Sequence, residues 1–152
     1  MNPRLLLALP LVASLAGLVG CGDPRIRSDD DLQVRLVAAG GSGGERHDAW
    51  SDAEPLSLER DVLIDARRVE SARIFVEPGT RRRVVAIQLD AEGTRVLEEV
   101  TARHRPRRLA VVIGGRIAAA PAIRGVISGG RLIVGASSTD EAEQMRDLLV
   151  RE

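Results

Sequence analysis

Few side chains in this sequence could do chemistry. Asp29, Asp30 and Asp31 stand in a row, His47 lies beside Asp48, His104 follows a charged run, Ser128 precedes Gly129-Gly130, and Cys21 is the only cysteine. Adjacent carboxylates can hold a divalent cation, a histidine next to an acid can ligate metal or take a proton, and a serine at a Gly-Gly turn can attack an acyl carbon. None of them has the surroundings its chemistry needs. The aspartates lack the alternate spacing and turn glycine of a calcium loop, so they read as part of a solvated tether. No general base accompanies Ser128. A Gly-x-Ser-x-Gly elbow, a His-Glu-x-x-His pair and a phosphate loop with lysine are all missing. His47 reads as an exposed loop histidine and His104 as support for a helix C-terminus. The expectation is a non-enzyme that needs no cofactor and no metal.

Composition limits the alternatives. With 152 residues, the chain suits one compact domain with extensions. Its aromatic residues are Trp50 and Phe75, so Val, Ile, Leu and Ala must build the core. The 22 basic residues, all arginine, balance 22 acidic ones. Nucleic acid is therefore not an expected partner, because no excess of positive charge is available. The runs Arg81-Arg82-Arg83 and Arg103, Arg105, Arg107, Arg108 read as a solvated rim.

The N-terminus carries an address. Arg4 precedes an apolar run over residues 5–19, broken only by Pro10, Ser14 and Gly17, which is the pattern of a signal peptide over residues 1–20. That run is short for a bilayer span of roughly 20 residues, and no comparable run follows. Leu18-Val19-Gly20-Cys21 resembles the lipobox of bacterial lipoproteins, which implies cleavage before Cys21 and a diacylglycerol on its thiol. Lipidation also accounts for a lone cysteine in an exported chain. Since each buried methylene contributes about 0.8 kcal/mol, two or more acyl chains hold a protein on a membrane without spanning it. Residues 21–31 then read as a polar tether. The expected location is the bacterial cell envelope, lipid-anchored and facing the periplasm.

The elements that would position a site follow from periodicity and turn chemistry. Residues 32–39 alternate as a half-buried strand, Gly40-Gly-Ser-Gly-Gly44 reads as a flexible linker, and the stretch to Pro55 has no apolar period. Trp50, inside that stretch, either folds back over the domain or meets a partner. Between residues 58 and 69 the signals conflict: Leu58, Val62, Ala66 and Val69 have helical spacing, while Val62-Leu63-Ile64 is a short β-branched run. Strands over 73–77 and 83–89 flank Pro78-Gly79, a turn signal. Asp90 can cap a helix whose Val96, Leu97 and Val100 form an apolar stripe, with Glu99 and Arg103 paired on its outer face. Next come a strand over 109–113, a turn at Gly114-Gly115, a strand through Ile117, Ala118, Ala119 and Ala120 to Pro121, a turn at Gly129-Gly130 and a third strand. A last helix opens with Ser138 and Glu141 at capping-box spacing and buries Ala142, Met145, Leu148 and Leu149.

Several of these residues together resemble the head subdomain of the first periplasmic domain of SecD, in the SecDF protein-export translocase family. They are Leu89-Asp90-Ala91-Glu92-Gly93, Thr101, Leu109-Ala110-Val111-Val112-Ile113, the Gly114-Gly115 turn where the family has Asp-Gly, Ala120-Pro121, and Gly129-Gly130 before the last strand. The resemblance implies an α+β fold with a mostly antiparallel or mixed sheet and two main helices packed on it. It also implies a strand at 61–65 and a short turn at 69–72. The organisation expected is a strand and flexible loop over 32–55 and a head-like domain over 56–152. Gly114, Gly115, Pro121, Gly129 and Gly130 are expected to shape turns. Without membrane helices such a head is not a motor. The resemblance implies a binding module for exported polypeptide or for translocon or envelope proteins, working through sheet-edge pairing at 117–120. The other class compatible with the sequence is an envelope lipoprotein acting as an interaction module unrelated to export.

Overall fold

The computed structural model describes residues 30–150 apart from positions 42 and 52. The leader and tether expected over residues 1–31 lie outside the described residues through residue 29, Cys21 included. In chain order the elements are β1 (Leu32–Leu36), β2 (Glu45–His47), β3 (Leu56–Leu58), β4 (Ile64–Asp65), β5 (Val69–Val76), β6 (Arg83–Leu89), α1 (Ala91–Arg103), β7 (Leu109–Ile113), β8 (Arg116–Ala119), β9 (Arg131–Ala136) and α2 (Thr139–Leu149). They form an α+β fold with a four-stranded sheet β4-β1-β7-β8, a three-stranded sheet β5-β6-β9 and the hairpin β2-β3, all antiparallel. Among the described residues no helix is long and apolar enough to cross a membrane.

Alternation along the strands decides which face is buried. Leu32, Val34 and Leu36 of β1, Leu109, Val111 and Ile113 of β7, and Val85, Ile87 and Leu89 of β6 point into one core. Leu97 and Val100 of α1 and Ala142, Met145 and Leu149 of α2 close it. A smaller core of Leu58, Ala110, Val112 and Ile117 lies on the other face of the four-stranded sheet, under the β2-β3 hairpin. Residues 45–50 and 56–58 are therefore paired rather than a free loop. Each of these strands has three residues, too few to show an apolar period.

The conflict over 58–69 has a similar origin. Leu58 belongs to the hairpin core, whereas Ala66 and Val69 belong to the main core, so their helical spacing joins two different layers. Val62 is exposed. The short strand is Ile64–Asp65, the turn falls at Ala66–Arg68 as a single 3-10 turn, and residues 69–72, expected as a turn, start β5. Asp65 fixes that turn by accepting from the Arg67 backbone N–H at 2.9 Å and from its guanidinium at 2.7 Å. These bonds hold the Asp65 carboxyl below its usual range. The last two aspartates of the acidic run also belong to the fold. Asp31 is buried and its carbonyl accepts from Gly114 N–H at 3.2 Å, while Asp30 Oδ1 accepts from Gln33.

Both helix caps form, one with a change of partner. Asp90 Oδ1 accepts from Gly93 N–H at 2.7 Å, and Arg103 pairs with Glu99 at 2.8 Å. Ser138 Oγ accepts from Glu141 N–H at 3.1 Å. The Glu141 carboxylate reaches one residue further back than a capping box requires: it accepts from Ser137 N–H at 2.6 Å, from the Ser137 hydroxyl, and from Ser51 N–H at 3.0 Å. Burial alone would raise this carboxyl's pKa, but the bonds from Ser137 and Ser51 outweigh it and hold the group below its usual value. A depressed folded-state pKa contributes stability above the unfolded value of about 4.5, and that stability is lost as pH falls through the folded value. We expect Glu141→Gln to cost about 1 to 2 kcal/mol at pH 7. In denaturant titrations its deficit against wild type should shrink between about pH 5 and pH 3; a constant deficit would show that the charge is not responsible.

Candidate functional site

The strand expected to meet a partner turns out to be occupied. β8 has β7 on one side, with Val112 opposite Ile117 and Ile113 opposite Arg116. On the other side, Ile117 N–H donates to Asp48 O at 2.8 Å, Trp50 N–H donates to Ile117 O at 2.9 Å, and Arg116 donates to Ala49 O at 3.0 Å. Ile117 and Ala118 are buried, Ala119 and Ala120 half-buried, and Ala120 O accepts from Arg108 Nε at 2.8 Å. Ile117, Ala118, Ala119 and Ala120 thus face their own chain, which corrects the expected docking edge. Pairing runs on past Pro121, whose carbonyl accepts from Leu109 N–H at 3.0 Å.

Trp50 makes this cover. Its ring is buried, Nε1–H donates to Ile113 O at 3.1 Å, and the Arg116 guanidinium lies 4.1 Å from the ring centroid. Of the two possibilities the sequence offered, the indole folds back over the domain. His47 is held in place too, contrary to the exposed-loop reading. Its Nε2 lies 3.1 Å from Arg35 Nη1, which as a guanidinium nitrogen can only donate, and its Nδ1 lies 3.2 Å from Gly115 O. Arg35 is buried on the hairpin-covered face, donates to Glu59 O at 2.7 Å and pairs with Glu45 at 3.4 Å. This cluster clamps the hairpin to the sheet. The second arginine group is partly tied down as well, with Arg107 paired to Glu59 and Arg108 to Glu54.

The expected turn residues sit between strands. Gly114 and Gly115 form the two-residue loop between Ile113 and Arg116 at φ 56° and 76°, as a type I′ hairpin turn needs. Gly129 and Gly130 precede β9, and Gln88 Nε2 donates to Gly129 O at 2.9 Å. Thr101, which the resemblance singled out without a physical role, is buried; its hydroxyl donates to Leu97 O and accepts from Ile127 N–H at 3.0 Å.

Among the described residues both edges of the three-stranded sheet, β5 and β9, pair only with β6, and β5 with its eight residues is the longer. Among the described residues, no backbone group from Glu70 to Val76 is bonded on the far side of this strand. It contains no proline, and Phe75 and Val76 are exposed beside it. Such an edge is a template for another extended chain. On the outward face of its sheet Ser71, Arg73 and Phe75 of β5 lie beside Gln88, Ala86 and Val84 of β6, with Arg73 and Phe75 exposed and Val84 buried. Arg73 is exposed and has no carboxylate partner among the described residues. Sequence reading missed this edge because β5 was expected as a strand of only five residues, behind a turn.

Antiparallel sheets with two helices, arranged in this order, make the fold that of a SecDF P1 head. A solved structure titled "Structure and function of a membrane component SecDF that enhances protein export" matches with a TM-score of 0.64 at 24% identity, over 78% of this chain and 60% of that one. A crystal structure of SecDF, described as a translocon-associated membrane protein, matches with a TM-score of 0.52 at 26% identity, over 79% of this chain and 19% of that one. The family model described as SecDF, P1 head subdomain, matches residues 45–151, and the chain belongs to that family. Protein translocase subunit SecD of Desulfurispirillum indicum is 36% identical over 99 residues, covering 65% of this chain and 19% of the relative. SecD of Magnetococcus marinus is 29% identical over 83% of this chain and 22% of its own length. The chain thus spans about one fifth of the length of these two relatives.

Proposed function

We propose that this protein is a non-catalytic accessory to protein export, anchored to an envelope membrane through a diacylated Cys21, whose head captures extended polypeptide by adding it as a strand to β5. The observation that carries this is the β5 edge, which among the described residues has no backbone partner on its outer side from Glu70 to Val76 and carries exposed Phe75 and Val76. The family membership supplies the setting, since its relatives are named as protein translocase subunits. Main-chain bonds along an open edge give affinity for any extended segment, as a handler of many exported sequences requires. Hydrogen exchange tests the edge: an unfolded secretory polypeptide should slow exchange at β5 amides and leave those of β8 unchanged. Protection confined to β8, or none at all, would overturn the reading. The anchor has its own test. Cys21→Ser should move the protein out of the membrane fraction, and retention of a correctly cleaved Cys21→Ser protein would contradict lipid anchoring.

A further inference from the structure

We infer that the β5 edge selects segments carrying an acidic side chain opposite Arg73, with an apolar one two residues away opposite Phe75; this rests on the strand-addition reading above. Pleating sets the geometry, because residues directly opposite on neighbouring strands share a face with Cβ atoms about 5 Å apart. A segment paired with β5 therefore places alternate side chains beside Ser71, Arg73 and Phe75, the outward residues of that strand. Across the same face run the rows Ser71, Gln88, Arg131 and Arg73, Ala86, Ile133. Both Arg73 and Arg131 are exposed without a carboxylate partner among the described residues, and no outward position of these rows is acidic. A shallow cleft of about 360 Å³ lies there, lined by Ser71, Arg73, Phe75, Ala86, Gln88 and Arg131. Positive charge beside apolar surface complements an extended segment in which one acid alternates with apolar residues.

Two labelled peptides matched to the eight residues of β5, identical except for glutamate or lysine at the central outward position, test this by fluorescence anisotropy with the full chain in mild detergent. The glutamate peptide should bind about fivefold to tenfold more tightly at low salt, with the gap closing as salt rises. Arg73→Glu should reverse the preference and Arg73→Gln should abolish it. Arg124→Glu, exposed in the loop after β8 and outside the cleft, should leave it nearly unchanged. Equal binding of both peptides would overturn the charge preference while leaving strand addition standing. If neither peptide binds, or if sedimentation shows β5 occupied by a second copy, strand addition falls and the preference with it.

Discussion

Gly130→Ala is expected to lower the stability of the head by about 2 to 5 kcal/mol, measured as a fall in the denaturant midpoint. Two effects add. Gly130 has φ 65°, where a Cβ costs roughly 1 to 2 kcal/mol. That Cβ would also lie 1.9 Å from Thr94 Oγ1 and 3.0 Å from Thr94 Cβ in the first turns of α1, an overlap that overpacking puts at about 1 to 3 kcal/mol. The close approach is built in, because Leu89 N–H donates to Gly130 O at 2.9 Å and so fixes the loop against the end of β6. Gly129 separates the two effects: its φ is 79°, but a Cβ there meets nothing within 4 Å, so Gly129→Ala should show the backbone share alone. Adding Thr94→Ala to Gly130→Ala should recover the steric share. Against a total stability of about 5 to 15 kcal/mol, the single substitution is severe. Similar losses at 129 and 130 would contradict the packing argument.

Trp50→Ala is expected to cost about 3 to 5 kcal/mol, the range for truncating a buried aromatic. The change also removes the Nε1–H bond to Ile113 O and the surface beneath the Arg116 guanidinium. Because Trp50 secures the segment that caps β8, the Ile117 amide, bonded to Asp48 O, should lose much of its exchange protection, while β5 amides should keep theirs. Trp50→Phe keeps most of the apolar area but loses the donor, at about 1 to 2 kcal/mol. If the Ile117 amide of Trp50→Ala stays as protected as in wild type, the indole is not what holds the cover in place.

These two residues mark where the sequence was legible and where it was not. Gly129-Gly130, Asp90 and Ser138 announce themselves because turns and helix starts are local, and a glycine pair or a capping side chain acts on backbone groups within three residues. The strands of β6, β7 and β9 show in their apolar pattern for the same reason. Trp50 could not be placed, since its partners, Ile113 and Arg116, lie more than sixty residues on. The same long reach explains Glu141, whose carboxylate bonds Ser51, and His47, which bonds Gly115. The docking edge was misassigned on this account: β8 looks free in sequence because the segment that covers it, residues 48–50, carries no strand pattern. β5, with no backbone bond on its outer side from Glu70 to Val76 among the described residues, was shortened by reading its first residues as a turn. Which edge of a sheet is open depends on what the remote chain does, and apolar periodicity does not report that.

Photo-crosslinking in intact cells tests the central claim most directly, with the reactive side chain placed at Phe75 on β5 or, for comparison, at Ala119 on β8. Capture on the open edge predicts adducts between position 75 and exported polypeptides in transit, strongest when translocation is arrested, and none from position 119. Adducts from position 119 in place of 75, or from position 75 to an envelope protein whatever the state of export, would contradict it.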